Sequence, residues 1–187
     1  MRTRTEETLM AVLWPRRGLL GNAALVVGAS LLLAASAWVK VPMWPVPMTM
    51  QTFAVLLIGA TCGARLGAGA VAAYLVEAAL GLPVLAGAVP LVALGPTTGY
   101  LSGFLLAAAA VGFAADRGWT RRALPLLAVL LAGEALIYLP GLVWLNAAFL
   151  HDVRASLAAG LLPFLPGEAA KLALALAAVA ASQRRAA

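Results

Sequence analysis

The chain has 187 residues, of which 64% are hydrophobic and only 11% are charged, and its mean hydropathy is +0.98. Soluble domains have apolar residues near one half and charged residues near one quarter, so this composition excludes an ordinary soluble enzyme or a nucleic-acid-binding domain and predicts an integral membrane protein. The single cysteine, Cys62, excludes an internal disulfide and a multi-cysteine metal cluster. We interpret the net charge of +6 as a signal of membrane topology.

The N-terminal residues 1–17 carry four arginines and two glutamates around a few apolar side chains. This pattern predicts either an amphipathic segment at the cytoplasmic headgroup surface or a disordered tail. From Gly18 to Val39 the chain is apolar over about the length that crosses a bilayer, and no convincing cleavage site precedes Lys40. We therefore predict a first membrane span here, and not a signal peptide.

Five further apolar runs follow, each separated from the next by a charge, a proline or a glycine pair: 48–63, 66–81, 97–115, 123–146 and 166–183. The sequence thus predicts an all-α bundle of six transmembrane helices, with 18–183 as one membrane domain and 184–187 as a tail. The second and third runs are short, since a 16-residue helix is about 24 Å long against a hydrocarbon core of about 30 Å. Uneven spans favour a cavity at one membrane face.

The distribution of Lys and Arg predicts the orientation. When six spans alternate, ten of the 13 basic residues fall on one side, and only Lys40, Arg154 and Lys171 fall at or near the other. The positive-inside rule then places both termini in the cytoplasm and the segments 40–47, 82–96 and 147–166 outside the cell membrane.

The first two outer segments have unusual compositions. The first outer segment contains three prolines in the sequence VPMWPVPMTMQT, at 41–52, and predicts a rigid rim. The methionines beside these prolines suit an adaptable apolar lining better than a copper(I) site. Residues 82–96 are uncharged and rich in Gly and Pro, so this segment is expected to cover a cavity. In the following GPTTGYLSGF, Gly99 and Gly103 are spaced for close approach of another helix backbone, and packing alone is one interpretation of them.

The last outer segment ends in PGEAAK, in which Glu168 and Lys171 lie three residues apart and therefore on one helix face. Opposite charges in an apolar span are costly unless they are paired, and we predict a ligand-contacting pair, with purely structural pinning as the alternative. Gln51 and Tyr100 are polar side chains near the same membrane face. Glu134 lies nearer the middle of its span, and the sequence allows three roles for it: a protonated packing residue, a proton relay or a partner of another helix.

Small residues at four-residue spacing occur in the first span, at Ala24 and Gly28 and again at Ser30 and Ala34. Such pairs permit close helix association through van der Waals contact. One such face is a candidate for contact with another chain.

In this order and spacing, the motifs resemble the BioY family, the biotin-binding S components of energy-coupling factor (ECF) transporters. The segments that carry the resemblance cover most of the chain: PVPMTMQT (45–52), LLIGATCGARLGA (56–68), YLVEAALGLPVLAG (74–87), GPTTGYLSGF (95–104) and PGEAAK (166–171). The chain departs from the family pattern at Thr98 (usually Gly), Leu85 (usually Phe) and Glu168 (usually Asp). The last change keeps the carboxylate and lengthens its reach.

The resemblance implies a six-helix S component with an outward-facing biotin pocket, energised by a transmembrane T component and two cytoplasmic ATPases. It implies no metal, no catalytic residue and no cofactor. The candidate ligand contacts are Glu168, Lys171, Gln51, Tyr100, Thr97 and Glu77. The candidate face for the T component consists of Ala24, Gly28, Ser30 and Ala34, of which Ser30 and Ala34 are favoured because they lie nearer the middle of the span. The sequence does not decide whether the chain also self-associates.

ATP is expected to act only on the partner subunits. A phosphate-binding loop needs Lys followed by Ser or Thr, whereas Lys40 is followed by Val41 and Lys171 by Leu172. Two other functions compete with biotin uptake. One is an S component for a different vitamin or a proton-coupled carrier that uses Glu134 or Glu77. The other, an intramembrane serine hydrolase, is disfavoured because the only histidine, His151, falls in a predicted outer loop.

Overall fold

The computed structural model describes Thr8, Met10, Trp14 and residues 18–87 and 94–186, with side chains described up to residue 183. The predicted N-terminal segment 1–17 lies outside the described residues apart from those three, as does 88–93 of the second outer segment. The described part is predominantly helical, which confirms the all-α prediction. Its α-helices are α1 (Leu19–Trp38), α2 (Gln51–Ala79), α3 (Thr98–Asp116), α4 (Ala123–Leu145), α5 (Val153–Gly160) and α6 (Leu165–Ala186).

A short antiparallel ribbon, which the sequence did not predict, lies between α1 and α2. Its strands are β1 (Lys40–Val41) and β2 (Met48–Thr49), with Lys40 opposite Thr49. The ribbon brings the two ends of the proline-rich segment together, so residues 42–47 form its tip. It also explains why α2 begins at Gln51 and not at the predicted residue 48.

Helix α2 is a hairpin of two helical halves and not a straight rod. Gly63 has φ 82° and ψ 176°, a backbone conformation that glycine adopts readily because it has no Cβ. The Gln51 Nε2 atom lies 2.7 Å from the Tyr74 hydroxyl, although 23 residues of straight helix would separate them by about 35 Å. The N–H of Ala64 donates to Asp116 Oδ2 at 3.1 Å, which satisfies an amide at the start of the second half.

By length and composition, five helical segments in the described part are able to cross a membrane: Leu19–Trp38, Gln51–Ala79, Thr98–Asp116, Ala123–Leu150 and Val153–Gln183. Six spans were predicted. The difference arises because the second and third predicted spans, 48–63 and 66–81, are the two halves of α2. At the C-terminus, α6 continues to Ala186 and so includes most of the segment that was predicted as a tail.

Helices α3 and α4 pack with their backbones in close contact, as the glycine spacing predicted. A Cβ atom added at Gly103 would lie 2.7 Å from Ile137 Cα, and one at Gly99 would collide with Trp144 and Pro140. These glycines therefore allow α4 to approach α3 and place Ile137 and Tyr138 beside Tyr100 and Phe104.

We expect Gly103→Leu to lower the melting temperature in detergent by several degrees, because overpacking a tight contact costs about 1–3 kcal/mol. The matched control is Gly28→Leu, since no atom lies within 4 Å of a Cβ at Gly28. Scanning fluorimetry of both variants checks the prediction. Equal melting temperatures for the two would contradict the close α3–α4 contact.

Helix α1 presents its small residues to two different sides, which corrects the predicted docking face. Ser30 is fully buried and its hydroxyl donates to Glu77 Oε1 at 2.5 Å, and Ala34 packs against the core. Ala24 and Gly28 are exposed. At about 100° per residue, positions 28 and 30 differ by about 200° around the helix, so the four residues do not share one face. Ser30 is therefore not exposed to a partner chain.

The bundle has an arginine-rich end and an end with a cavity. Asp116 contacts the turn at Gly63, and Gln183 Nε2 donates to the Thr120 carbonyl at 3.0 Å, so the α2 turn, the α3–α4 connection and the C-terminal part of α6 share one end. The basic residues of these segments are Arg65, Arg117, Arg121, Arg122, Arg184 and Arg185. The ribbon and the start of α3 lie at the opposite end of the bundle.

Candidate functional site

A cavity of about 210 Å³ lies between the ribbon, the loop before α3 and the adjoining ends of the helices. The tip of the ribbon contributes Pro45, Val46 and Pro47 to its wall, so the segment predicted as a rim borders the cavity. Of the methionines at 43, 48 and 50, only Met48 lines the cavity. The remaining lining residues named below come from α2, α3, α4 and α6 or directly precede α3 and α6, so residues distant in sequence form one site.

Glu168 is the acidic residue in the cavity wall, and its side chain is held by donors from three helices. Its Oε1 accepts from Lys171 Nζ at 2.8 Å and from the Tyr138 hydroxyl at 3.0 Å, and its Oε2 accepts from the Thr52 hydroxyl at 2.8 Å. Glu168 is 6% exposed. Because donors surround it, the buried carboxylate is stabilised and held in one orientation.

Lys171 lies one turn along α6 from Glu168 and does not line the cavity. It is 6% exposed, and its ammonium donates to Glu168 and, at 3.3 Å, to Thr52 Oγ1. The predicted pair is therefore formed, with unequal positions: Glu168 faces the cavity and Lys171 supports it. This support fixes the orientation of the carboxylate in the cavity wall.

Aromatic rings form the apolar wall. Tyr100 packs edge-on against Tyr138 with ring centroids 5.6 Å apart, and Tyr138 packs against Phe164 at 6.2 Å. The Tyr100 hydroxyl donates to the Gly160 carbonyl at 2.9 Å. Tyr100 therefore lines the cavity as predicted, and its hydroxyl is already engaged with the end of α5.

Gln51 also lines the cavity, and a short chain of hydrogen bonds positions it. The Thr49 hydroxyl donates to Gln51 Oε1 at 3.2 Å, Gln51 Nε2 donates to the Tyr74 hydroxyl, and that hydroxyl donates to the Val84 carbonyl at 3.1 Å. Tyr74 is fully buried. The chain connects the start of α2 to the loop before α3, and thus connects two walls of the cavity.

Thr97, at the start of α3, lines the cavity as well, whereas Glu77 does not. Glu77 accepts from Ser30 at the contact between α1 and the second half of α2. The structure therefore brings together Glu168, Gln51, Tyr100 and Thr97 in the cavity wall, pairs Lys171 with Glu168, and leaves Glu77 outside the cavity lining.

Sequence reasoning missed three contributors: Thr52, Tyr138 and Phe164. Tyr138 had a usable signal, because Glu134 and Tyr138 are one turn apart in an otherwise apolar helix. Thr52 follows Gln51 directly and had no distinguishing pattern. Phe164 precedes α6 in an apolar stretch and is distinguished only by its place in three dimensions.

Comparison with known proteins gives consistent matches. A model described as the BioY family matches residues 6–187. A "Biotin transporter BioY" from Thermotoga maritima is 39% identical over 152 residues, covering 77% of this chain and 85% of the relative. A "Probable biotin transporter BioY" from Pyrococcus horikoshii is 37% identical over 147 residues, covering 78% and 85%.

A crystal structure described as the S-component for biotin from an ECF-type ABC transporter superposes with a TM-score of 0.80. The match covers 88% of this chain and 92% of that chain, at 24% sequence identity. At this identity the likeness shows a shared fold.

Proposed function

Because the chain belongs to the BioY family, we propose that it is a biotin-binding S component and that the cavity beside Glu168 holds the ligand. Its relatives are transporters, so family membership assigns it to transport proteins and not to enzymes. The single observation that carries the site is a buried carboxylate, fixed by three donors, in the wall of a largely apolar cavity.

The chemistry of biotin suits this wall. Its ureido group has two N–H donors and one carbonyl acceptor, and its fused rings and aliphatic chain are apolar. A carboxylate has about four lone-pair sites, and the described residues occupy three on Glu168, so it retains capacity for a ligand N–H. Phe104, Phe164 and the Tyr138 ring provide apolar contact for the rest of the ligand.

For the membrane topology, we infer six crossings, one each for α1, the two halves of α2, α3, α4 and α6. The hairpin at Gly63 supports counting α2 twice. Arg65, Arg117, Arg121 and Arg122 lie at the end opposite the cavity, whereas Arg154 belongs to α5 near the cavity, so the positive-inside rule supports cytoplasmic termini and an outward-facing cavity. The chain is proposed to form a single membrane domain.

The energy source is proposed to be a partner assembly of a T component and two ATPase subunits in the cell membrane. This chain contains no Gly-Lys-Ser or Gly-Lys-Thr sequence, so an ATP-driven step requires other chains. The docking surface is proposed to include Ala24 and Gly28, which are the exposed small residues of the predicted face. Uptake of a different vitamin is the alternative that binding measurements distinguish.

We expect the purified protein in detergent to bind biotin saturably without ATP, because one chain supplies every described wall of the cavity. Equilibrium titrations with biotin, riboflavin and thiamine test this expectation. Tight binding of biotin alone supports the proposal. Well-folded protein that fails to bind biotin, or that binds riboflavin or thiamine more tightly, would overturn it.

A further inference from the structure

Glu134 is a buried acid that the proposed binding site leaves unused. It is 8% exposed, and neither of its carboxyl oxygens has a hydrogen-bond partner among the described residues. It lies in the middle of α4, one turn from Leu130 and one turn from Tyr138. An ionised carboxylate in such a position costs several kcal/mol unless it is paired, so a free negative charge is not a stable state there.

The described groups near Glu134 and its neighbour Gly133 come from α4 itself and from three other helices. From α6, both Glu168 and Lys171 interact with it electrostatically, and on α4 itself Tyr138 does so. Next to Gly133, α2 and α3 present Leu56 and Val111, which are apolar. Among the described residues, the titratable groups that interact with Glu134 are therefore one carboxylate, one ammonium and one phenol. With both carboxyl groups ionised, the single ammonium would leave one negative charge uncompensated.

We propose that Glu134 is a proton-binding site beneath the ligand cavity, and that its proton is coupled to biotin binding through Lys171. This inference rests on the proposed function, because it takes Glu168 as the group that contacts biotin. When Glu134 carries its proton, the acid is neutral and Lys171 pairs with Glu168. The pair is then electrically balanced, and Glu168 is held as the structure shows it.

Loss of the proton changes the competition for Lys171. The proton passes to bulk water, and Glu134 becomes a second anionic acceptor for the ammonium. Lys171 is then shared between two carboxylates, and Glu168 loses part of the donor set that fixes its orientation. Biotin therefore binds the protonated form more tightly. By linkage, biotin binding takes up a proton wherever Glu134 is partly ionised.

The test compares wild type with Glu134→Gln, whose neutral amide stands in for the protonated acid. Biotin affinity of the wild type should fall with rising pH, at most about tenfold per pH unit, since one proton is involved. Glu134→Gln should match the wild type at the acid end and stay within about twofold across the same range. Calorimetry in two buffers of different ionisation enthalpy should detect proton uptake in the wild type and none in the variant.

The outcomes separate the two claims. Biotin binding that is tight and independent of pH, without proton uptake, overturns the proton site and leaves the proposed function standing. A pH dependence that persists in Glu134→Gln also overturns it, because another group then titrates. Failure to bind biotin at any pH overturns the proposed function itself.

A spectroscopic measurement covers the case in which Glu134→Gln does not fold. Infrared spectra of wild-type protein should contain the carbonyl band of a buried protonated carboxylic acid, shifted in D₂O and lost at alkaline pH. Glu77→Gln, which removes a partly buried acid in the second half of α2, should retain the band. Absence of the band from neutral wild-type protein, or its loss in Glu77→Gln, would overturn the inference.

Discussion

Glu168→Gln should weaken biotin binding by about 2 kcal/mol or more, which is about 30-fold in the dissociation constant. The amide keeps the shape of the side chain but removes the charge that Lys171, Tyr138 and Thr52 all donate to. The variant therefore weakens the acceptor for the ligand and leaves a buried ammonium without its partner. Isothermal titration in detergent at fixed pH measures the loss.

Three further variants test whether a loss of biotin affinity in Glu168→Gln comes from the charge pair or from a general disturbance of the fold. Lys171→Met should reduce affinity by a similar factor although Lys171 does not line the cavity, because Glu168 then lacks its cation. Glu168→Asp, which keeps the carboxylate and shortens its reach, should bind biotin more tightly than Glu168→Gln does. Glu77→Gln is the matched control outside the cavity and should bind normally. Normal affinity in both Glu168→Gln and Lys171→Met would reduce the pair to a structural role.

Trp at both Ala24 and Gly28 should abolish copurification with a coexpressed T component while leaving biotin affinity unchanged. Both residues are exposed on α1, and a Cβ at Gly28 meets no atom within 4 Å, so large side chains fit the isolated protein. Helix contacts in lipid depend on close approach, which two indole rings prevent. Affinity purification from membranes containing both chains measures the association.

Ser30→Trp provides the contrast on the opposite side of α1. Ser30 is fully buried against Glu77, so this change should lower thermal stability and expression before it affects any partner. Copurification that survives Trp at both 24 and 28 would move the docking surface away from these residues. A large loss of biotin affinity in the variant with Trp at 24 and 28 would show that the side of α1 with Ala24 and Gly28 contributes to the folded core.

The chemistry of the site was more predictable from the sequence than its assembly. Spacing alone identified Glu168 and Lys171 as neighbours, because residues three apart on a helix share a face. Gly99 and Gly103 correctly predicted a close helix contact, and the prolines at 45 and 47 line the cavity, where the rigidity of the rim stays a prediction. Each of these follows from local geometry or from a cost that burial imposes on charge.

The rest depends on rotation and on contacts between distant segments. Whether Ser30 faces the core or the surface depends on how α1 is rotated, which a uniformly apolar helix does not encode. Thr52 and Glu168 are 116 residues apart, and their hydrogen bond follows from the packing of α2 against α6. The ribbon at β1 and β2 was missed because two residues per strand give too short a pattern to detect.

The hydrogen-bond chain through Tyr74 determines which way the Gln51 amide points. A backbone carbonyl only accepts, so the single proton of the Tyr74 hydroxyl is committed to Val84, and the oxygen must accept from Gln51. The amide nitrogen therefore faces Tyr74, the amide oxygen faces Thr49, and one amide N–H remains to donate. Glu168, in contrast, only accepts. The cavity wall thus includes one polar side chain with an N–H left to donate and one that only accepts, and a cyclic urea, with N–H on each side of its carbonyl, needs both.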